Sequence, residues 1–208
     1  MYLFSRAVTL RGSPRQVAPW VQKVTTHVNA NSPLDVTAWN ADFGHPIGTV
    51  VWNAVVESQQ ALADGVSGLL ADDPYHAVLE EAADMVVAPG EDALRSMVHG
   101  SPSETSVGSV AMVTTGVSVL ERTGDVLSWS VDIAQYAEKV GGTPVSVWTN
   151  TFGNMTEMTF ISVFDSLAAL EAGNQTLQGD AGWMDRLHAS GGLWEVGSGL
   201  VARFTRML

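Results

Sequence analysis

The segment VTAWNADFG, residues 36–44, alternates like a strand and ends in a turn, and VSVWTNTFG, residues 145–153, repeats its Trp-x-x-x-Phe-Gly pattern at a shift of 109 residues. The same shift aligns Val17 with Val126, Trp20 with Trp129, Val36 with Val145 and Ala63 with Ala172. After a one-residue slip the shift becomes 108 and aligns Leu69 with Leu177, Asp72 with Asp180, Tyr75 with Trp183, Leu79 with Leu187 and Arg95 with Arg203. Tryptophan is rare, so two coincident pairs at one shift mark an internal repeat. A unit of about a hundred residues has the size of a small domain, not of a solenoid turn. The junction is HGSPSETSVGS, residues 99–109, rich in turn formers with little to bury. The chain therefore divides into a first unit over 1–99, a linker over 100–109 and a second unit over 110–208.

Each unit carries the same series of patterns. In the first, YLFSRAVTL reads as a strand, and Ser13-Pro14 supplies an N-cap followed by proline at the first helical position. Val17, Trp20, Val21, Val24 and Val28 then recur along one helical face. Strands over 34–42 and TVVWNAVV flank the turn Phe43-Gly44-His45-Pro46. Ser58 caps a helix running to residue 70, a short helix covers 74–83, and a last strand covers 86–98. The second unit gives a strand over 110–119 and a helix over 123–140, with Trp129, Ile133, Tyr136 and Val140 inward. Strands over 144–151 and 156–164, helices over 166–178 and 181–189, and a strand over 193–206 follow. The order β-α-β-β-α-β in both halves is the ferredoxin-like split motif, an antiparallel sheet with helices on one face. A lone sheet of this kind alternates apolar with polar residues. TVVWNAVV and MTFISVF instead carry apolar residues on both faces, so the helix-free face is expected to be covered as well. The expected fold class is α+β, with two tandem ferredoxin-like units each covering the other's sheet.

Composition narrows the partners. Ten basic against 22 acidic residues give a formal charge of −12, which repels both a phosphate backbone and an anionic membrane surface. Charged residues are 15% of the chain, against roughly 25% in typical soluble proteins, which points to association into a homo-oligomer. Cysteine is absent, so disulfides, thiolate metal sites and a cysteine nucleophile are excluded. Arg6 and Arg11 interrupt the apolar N-terminal stretch, unlike a signal peptide, and no run reaches the length of a membrane span. The expected location is the cytoplasm.

The segment SVFDSLAALEAGNQTLQGDAGWMDRL and its counterpart AVVESQQALADGVSGLLADDPYHAVL resemble the strand, helix and D-x-x-[YW] region of NIPSNAP-like and antibiotic-biosynthesis-monooxygenase-like proteins. The whole chain, read as two ferredoxin-like halves, resembles the dimeric α+β barrel superfamily, with both halves in one polypeptide as an intramolecular barrel. That superfamily includes cofactor-free monooxygenases, haem-degrading enzymes, dehydratases and isomerases, and the resemblance implies a pocket between the helices and the sheet of a unit.

The candidate residues follow from that implication. His27 and Tyr136 hold equivalent places on the long helices, and imidazole and phenol are the side chains able to pass protons there. His45, in the turn that repeats as Asn154, is a third candidate acid or base. Trp39 and Trp148 are candidate pocket walls, with Asn40 and Asn53 orienting a ligand; packing between sheets explains the two tryptophans equally well. His76 and Glu80 have helical i, i+4 spacing without a second histidine, so no metal is expected, and no haem or other cofactor. Neither a G-x-S-x-G elbow nor a phosphate-binding glycine loop is present. Asp42, Glu57 and Glu157 fall at strand ends, where exposure to solvent is expected. The expected function is a small-molecule enzyme or binding protein, cofactor-free and monooxygenase-like toward an apolar or aromatic metabolite. The alternative is a non-enzymatic assembly or interaction protein with a filled core.

Overall fold

Two helices in this chain, one in each half, start where a hydroxyl side chain accepts one of the first orphan N–H groups. Ser58 Oγ accepts from Ala61 N at 3.1 Å and Ser166 Oγ from Ala169 N at 3.2 Å, the same cap in both halves. The computed structural model describes residues 1–208 and has a mixed α+β fold. Its elements are β1 Tyr2–Thr9, α1 Pro14–Asn31, β2 Val36–Phe43, β3 Thr49–Val56, α2 Gln59–Leu70, α3 Asp73–Glu80 and β4 Glu91–His99. They continue with β5 Val110–Val117, a 3-10 turn at Leu120–Arg122, α4 Thr123–Gly141, β6 Val145–Asn150, β7 Glu157–Phe164, α5 Leu167–Gln178, α6 Ala181–Ala189 and β8 Leu200–Arg206. No helix is long and apolar enough to cross a membrane.

The chain forms two units: Met1–Leu94 with Arg206–Leu208, and Arg95–Thr205. In the first, β3 lies between β1 and β2, antiparallel to both, and Met207 N–H donates to Ala38 O along β2. Val36, Ala38, Val50, Trp52, Ala54 and Val56 face the helices and pack against Trp20, Val21, Val24 and Val28 of α1. Trp20 meets Trp52 edge-on at 5.9 Å. The second unit orders its sheet β8-β5-β7-β6, and the Arg95–His99 part of β4 pairs with β6. There Val145, Val147, Met158 and Phe160 face the helices, and Trp129 meets Phe160 edge-on at 6.2 Å and Trp194 at 5.7 Å. Trp194 fits because position 116 is glycine: a Cβ on Gly116 would lie 2.9 Å from its ring.

Two predicted strands are shorter than expected. β4 begins at Glu91, leaving Val86 only an isolated bridge to Leu10, and β8 begins at Leu200, leaving Trp194 a bridge to Ser118. Pro89 removes a ladder N–H, and Gly197 at φ +79° turns the chain.

The slip in the repeat has a structural location. β2 and β6 align at a shift of 109, β3 and β7 at 108, so the β2–β3 hairpin holds the extra residue. Gly48 sits there at φ +88°, its carbonyl accepting from Leu10 N–H at 2.9 Å, and an added Cβ would lie 2.2 Å from Leu10 O. Gly153, in the other hairpin, has φ +86° with open space around its Cβ position. Gly153→Ala is therefore expected to cost only the left-handed strain of about 1–2 kcal/mol, whereas Gly48→Ala must also move backbone and costs about 3 kcal/mol or more. Urea unfolding of both variants checks this, and equal losses would contradict the backbone clash.

Candidate functional site

His27 lies on α1 at the turn that faces α3. Its Nε2 is 2.6 Å from Asp72 Oδ2, with the two side chains 17% and 22% exposed, and its ring stacks on that of buried Tyr75 at 6.1 Å. The carboxylate assigns the N–H to Nε2 and leaves Nδ1 as the basic nitrogen, a tautomer inferred from the hydrogen bond. In the second unit Tyr136 Oη donates to Asp180 Oδ1 at 2.8 Å, and the Arg186 guanidinium lies 3.8 Å above its ring. Gly182 makes the room: a Cβ there would lie 2.1 Å from the phenolic oxygen.

The two aspartates, both at the N-cap of a short helix, work differently. Asp180 Oδ1 also accepts from Trp183 N at 2.8 Å, a cap bond, whereas Asp72 makes no side-chain cap bond and gives its carboxylate to His27. The Trp183 N–H and then the Tyr136 hydroxyl hold the Asp180 carboxyl below the usual carboxylate range, and the bond to Asp180 pushes the Tyr136 phenol up. Both aspartates were visible in the repeat at a shift of 108, but pairing them with His27 and Tyr136 required the spacing between helices.

The other candidates are dispersed. Trp39 is buried on the helix-free face of β2, its Nε1 donating to Thr37 Oγ1 at 2.9 Å, and Trp148 repeats this with Ser146 Oγ at 2.8 Å. Asn53, opposite Thr37, shares the face of Trp39. Asn40 follows Trp39 along the strand and so faces the other side, where its Nδ2 donates to Asp42 Oδ1 at 2.8 Å. His45 is exposed in the β2–β3 hairpin, where partial burial of the ring pushes its pKa down against the pull of Glu91. His76 directs Nε2 to Leu70 O at 3.0 Å. Glu57 is exposed as expected, but Glu157 is not: its side chain is 27% exposed, receives a hydrogen bond from Asn150 and faces Arg95. A strand-end position predicted solvent; the neighbouring strands supply cover instead.

Comparison with known proteins agrees with this geometry at the level of fold. The NIPSNAP family model matches residues 121–198, within the second half of the chain. A candidate monooxygenase from Fusobacterium nucleatum superposes with a TM-score of 0.75 at 8% identity, over 100% of this chain and 92% of that one. A candidate monooxygenase from Lactobacillus acidophilus gives 0.68 at 12% identity, over 99% and 93%. An anthrone oxidase-like protein gives 0.63 at 13% identity, over 100% and 91%. No curated protein matches the sequence.

The Asp180 contribution has a defined pH window. Its folded pKa is depressed, so the stability it adds is present above the unfolded value of about 3.9 and is lost as pH falls through the folded value. The gap in urea midpoint between wild type and Asp180→Asn should therefore be clear at neutral pH and close under acid conditions. The Tyr136 phenol is raised, so the gap to Tyr136→Phe should close at alkaline pH, as pH passes the folded phenol value. A gap that ignores pH in either variant contradicts the assignment.

Proposed function

We propose that this chain is a cytoplasmic small-molecule enzyme or binding protein of the dimeric α+β barrel type. In this reading, two ferredoxin-like units (1–99 and 110–208, joined by 100–109) arose by duplication and form an intramolecular barrel that acts, cofactor-free and monooxygenase-like, on an apolar or aromatic metabolite. The caps, the tryptophan bonds and the aspartate partners that recur at shifts of 108 or 109 support the duplication. Whole-chain likeness to an anthrone oxidase-like protein and to two candidate monooxygenases supports the barrel and the reaction class.

The observation that carries the reading is the His27–Asp72 pair. A carboxylate released from capping and held 2.6 Å from an imidazole orients the ring and turns its far nitrogen outward as the proton acceptor. Nδ1 then removes a proton from an activated CH2 group beside a phenol or enol, the second hydrogen of that carbon leaving when the carbonyl forms. The carbanion passes its electrons to dioxygen, one oxygen atom becoming the product carbonyl and the other leaving as water. Trp39 and Asn53, on the helix-free face of the first unit, and Trp148, on that of the second, are proposed as ligand contacts apart from the His27 site, and His45 as a second acid. Tyr136 cannot accept a proton near neutral pH, and its unit is proposed to keep only the structural half of the pair. Asn40, turned to the other face, is proposed to act only through Asp42.

Anthrone is the probe. Oxygen uptake by the wild-type chain should fall about 10²-fold or more in His27→Gln, while Tyr136→Phe retains the rate. A His27→Gln variant at wild-type rate ends the proton-acceptor assignment.

One observation favours the interaction-protein reading. Phe43 and Ile47 at one hairpin, and Phe152 and Met155 at the other, are 63–98% exposed, and apolar tips of this kind suit subunit contacts. A homo-oligomer accommodates both readings; saturable anthrone binding separates them.

A further inference from the structure

The short helix α3 begins with Asp72-Asp73-Pro74-Tyr75 and α6 with Asp180-Ala181-Gly182-Trp183, the D-x-x-[YW] segment of each half at a shift of 108. In both, the aspartate is the N-cap and the aromatic residue is the third helical residue. An N-cap carboxylate accepts from the amide of the second or third helical residue. Asp180 does so: its Oδ1 accepts from Trp183 N at 2.8 Å. The Trp183 N–H, then the Tyr136 hydroxyl and the Gly182 N–H hold that carboxyl below the usual range. At Asp72 the second helical residue is Pro74, which has no N–H to give. The Asp72 side chain makes no cap bond, and its Oδ2 lies 2.6 Å from His27 Nε2.

The aromatic residue is also used differently in the two halves. Tyr75 is 8% exposed, and its ring lies 26° from parallel with that of His27 in an offset stack. One turn further along α3, Val78 O accepts from Trp20 Nε1 at 2.8 Å, so the core fixes where Tyr75 sits against α1. The first residue of the segment therefore holds the imidazole at its edge, and the fourth covers its face. In the second unit the Tyr136 ring is covered by Arg186 instead, and Gly182 makes room for the phenol. The differences come together: His27 with Pro74 and a free cap, Tyr136 with Gly182 and a bonded one.

We propose that Asp72, Pro74 and Tyr75 are positioning residues that clamp His27: Pro74 withholds an amide that would draw the carboxylate into the cap, Asp72 holds the imidazole edge, and Tyr75 limits rotation of the ring. The effect on rate rests on the reading of His27 as proton acceptor, whereas the clamp itself is a property of the folded chain. An imidazole free to turn presents either nitrogen in many directions. One held at edge and face presents a single nitrogen in one direction, which proton transfer to a bound molecule requires. A helix that forgoes its cap bond loses stability. Returning that bond should therefore strengthen the start of α3 while loosening the imidazole, and a purely structural role would not move the two in opposite directions.

The test uses the full chain and Pro74→Ala, which returns an N–H at the second helical position. Proton–nitrogen correlation spectra of the ring nitrogens are recorded at about pH 8, above the ordinary imidazole range, with the His27 signals assigned by their loss in His27→Gln. The wild type should show one protonated and one bare ring nitrogen, and the two nitrogen shifts should draw together in Pro74→Ala and in Asp72→Ala. The urea midpoint of Pro74→Ala should stay at or above the wild-type value, while kcat with anthrone falls about tenfold or more and KM stays within about twofold. Tyr75→Leu should lose kcat to a similar degree, and Tyr75→Phe, which keeps the ring, should recover most of that loss; Pro74→Ala decides the matter if Tyr75→Leu does not fold. Ring shifts that stay apart in Pro74→Ala, or a Tyr75→Phe variant no better than Tyr75→Leu, would overturn the clamp. If the shifts draw together and kcat holds, the clamp stands and the proton-acceptor reading fails.

Discussion

One indole in each unit sets the position of nearly everything that follows. Trp20 presents its edge geometry to Trp52 on the sheet while its Nε1 donates to Val78 O at 2.8 Å, and Trp129 does the same with Phe160 and Arg186 O at 2.9 Å. A large aromatic contributes its stability through buried area, and its polar nitrogen needs a partner once it leaves water. Here the partner is a carbonyl of the short helix, so a single side chain ties the long helix, the sheet and the short helix together. The N-cap aspartate of that short helix is thereby held at a fixed distance from the long helix. His27 and Tyr136, two turns beyond the indoles, meet Asp72 and Asp180 because of this constraint.

The parts of this architecture that are written as local patterns were legible in the sequence. Helical spacing of Val17, Trp20, Val21, Val24 and Val28 matches the buried stripe of α1. Ser58 caps its helix as its position implies, and the β2–β3 pair follows from alternation around Phe43-Gly44-His45-Pro46. Strand ends were less legible, because Pro89 and Gly197 act on backbone direction and not on hydropathy. Side-chain partnerships were least legible. Trp39 and Asn40 read as neighbours that could share a ligand, yet adjacent strand residues face opposite ways. Glu157 read as a solvated end residue, and only the register of β4, β6 and β7 brings Asn150 and Arg95 to it. The shift of 108 that equates Asp72 with Asp180 was present in the sequence, but their roles as imidazole partner and capping group depend on side-chain geometry that only the packed helices fix.

The two halves use the same strand positions under opposite physical demands. In the first unit Ala41, Thr49 and Val51 bury small or apolar side chains, the arrangement that hydrophobic transfer favours. In the second, Arg95 and Glu157 share a mostly covered setting 4.0 Å apart, where desolvation of both ions offsets much of their attraction. Replacing such a pair with packed neutral side chains is often neutral or stabilising, by about 1–4 kcal/mol where an effect is measured. Stability alone would therefore make the second face resemble the first. The polar set also leaves the Asn150 oxygen without a partner, an additional destabilising term of about 1–3 kcal/mol for a buried acceptor. The two faces thus fill the same strand positions differently, with small or apolar side chains in the first unit and a hydrogen-bonded polar set in the second. The helix side of each unit, filled by Trp20 and Trp52 or by Trp129, Phe160 and Trp194, supplies the rigid packing against which either set of side chains holds its geometry.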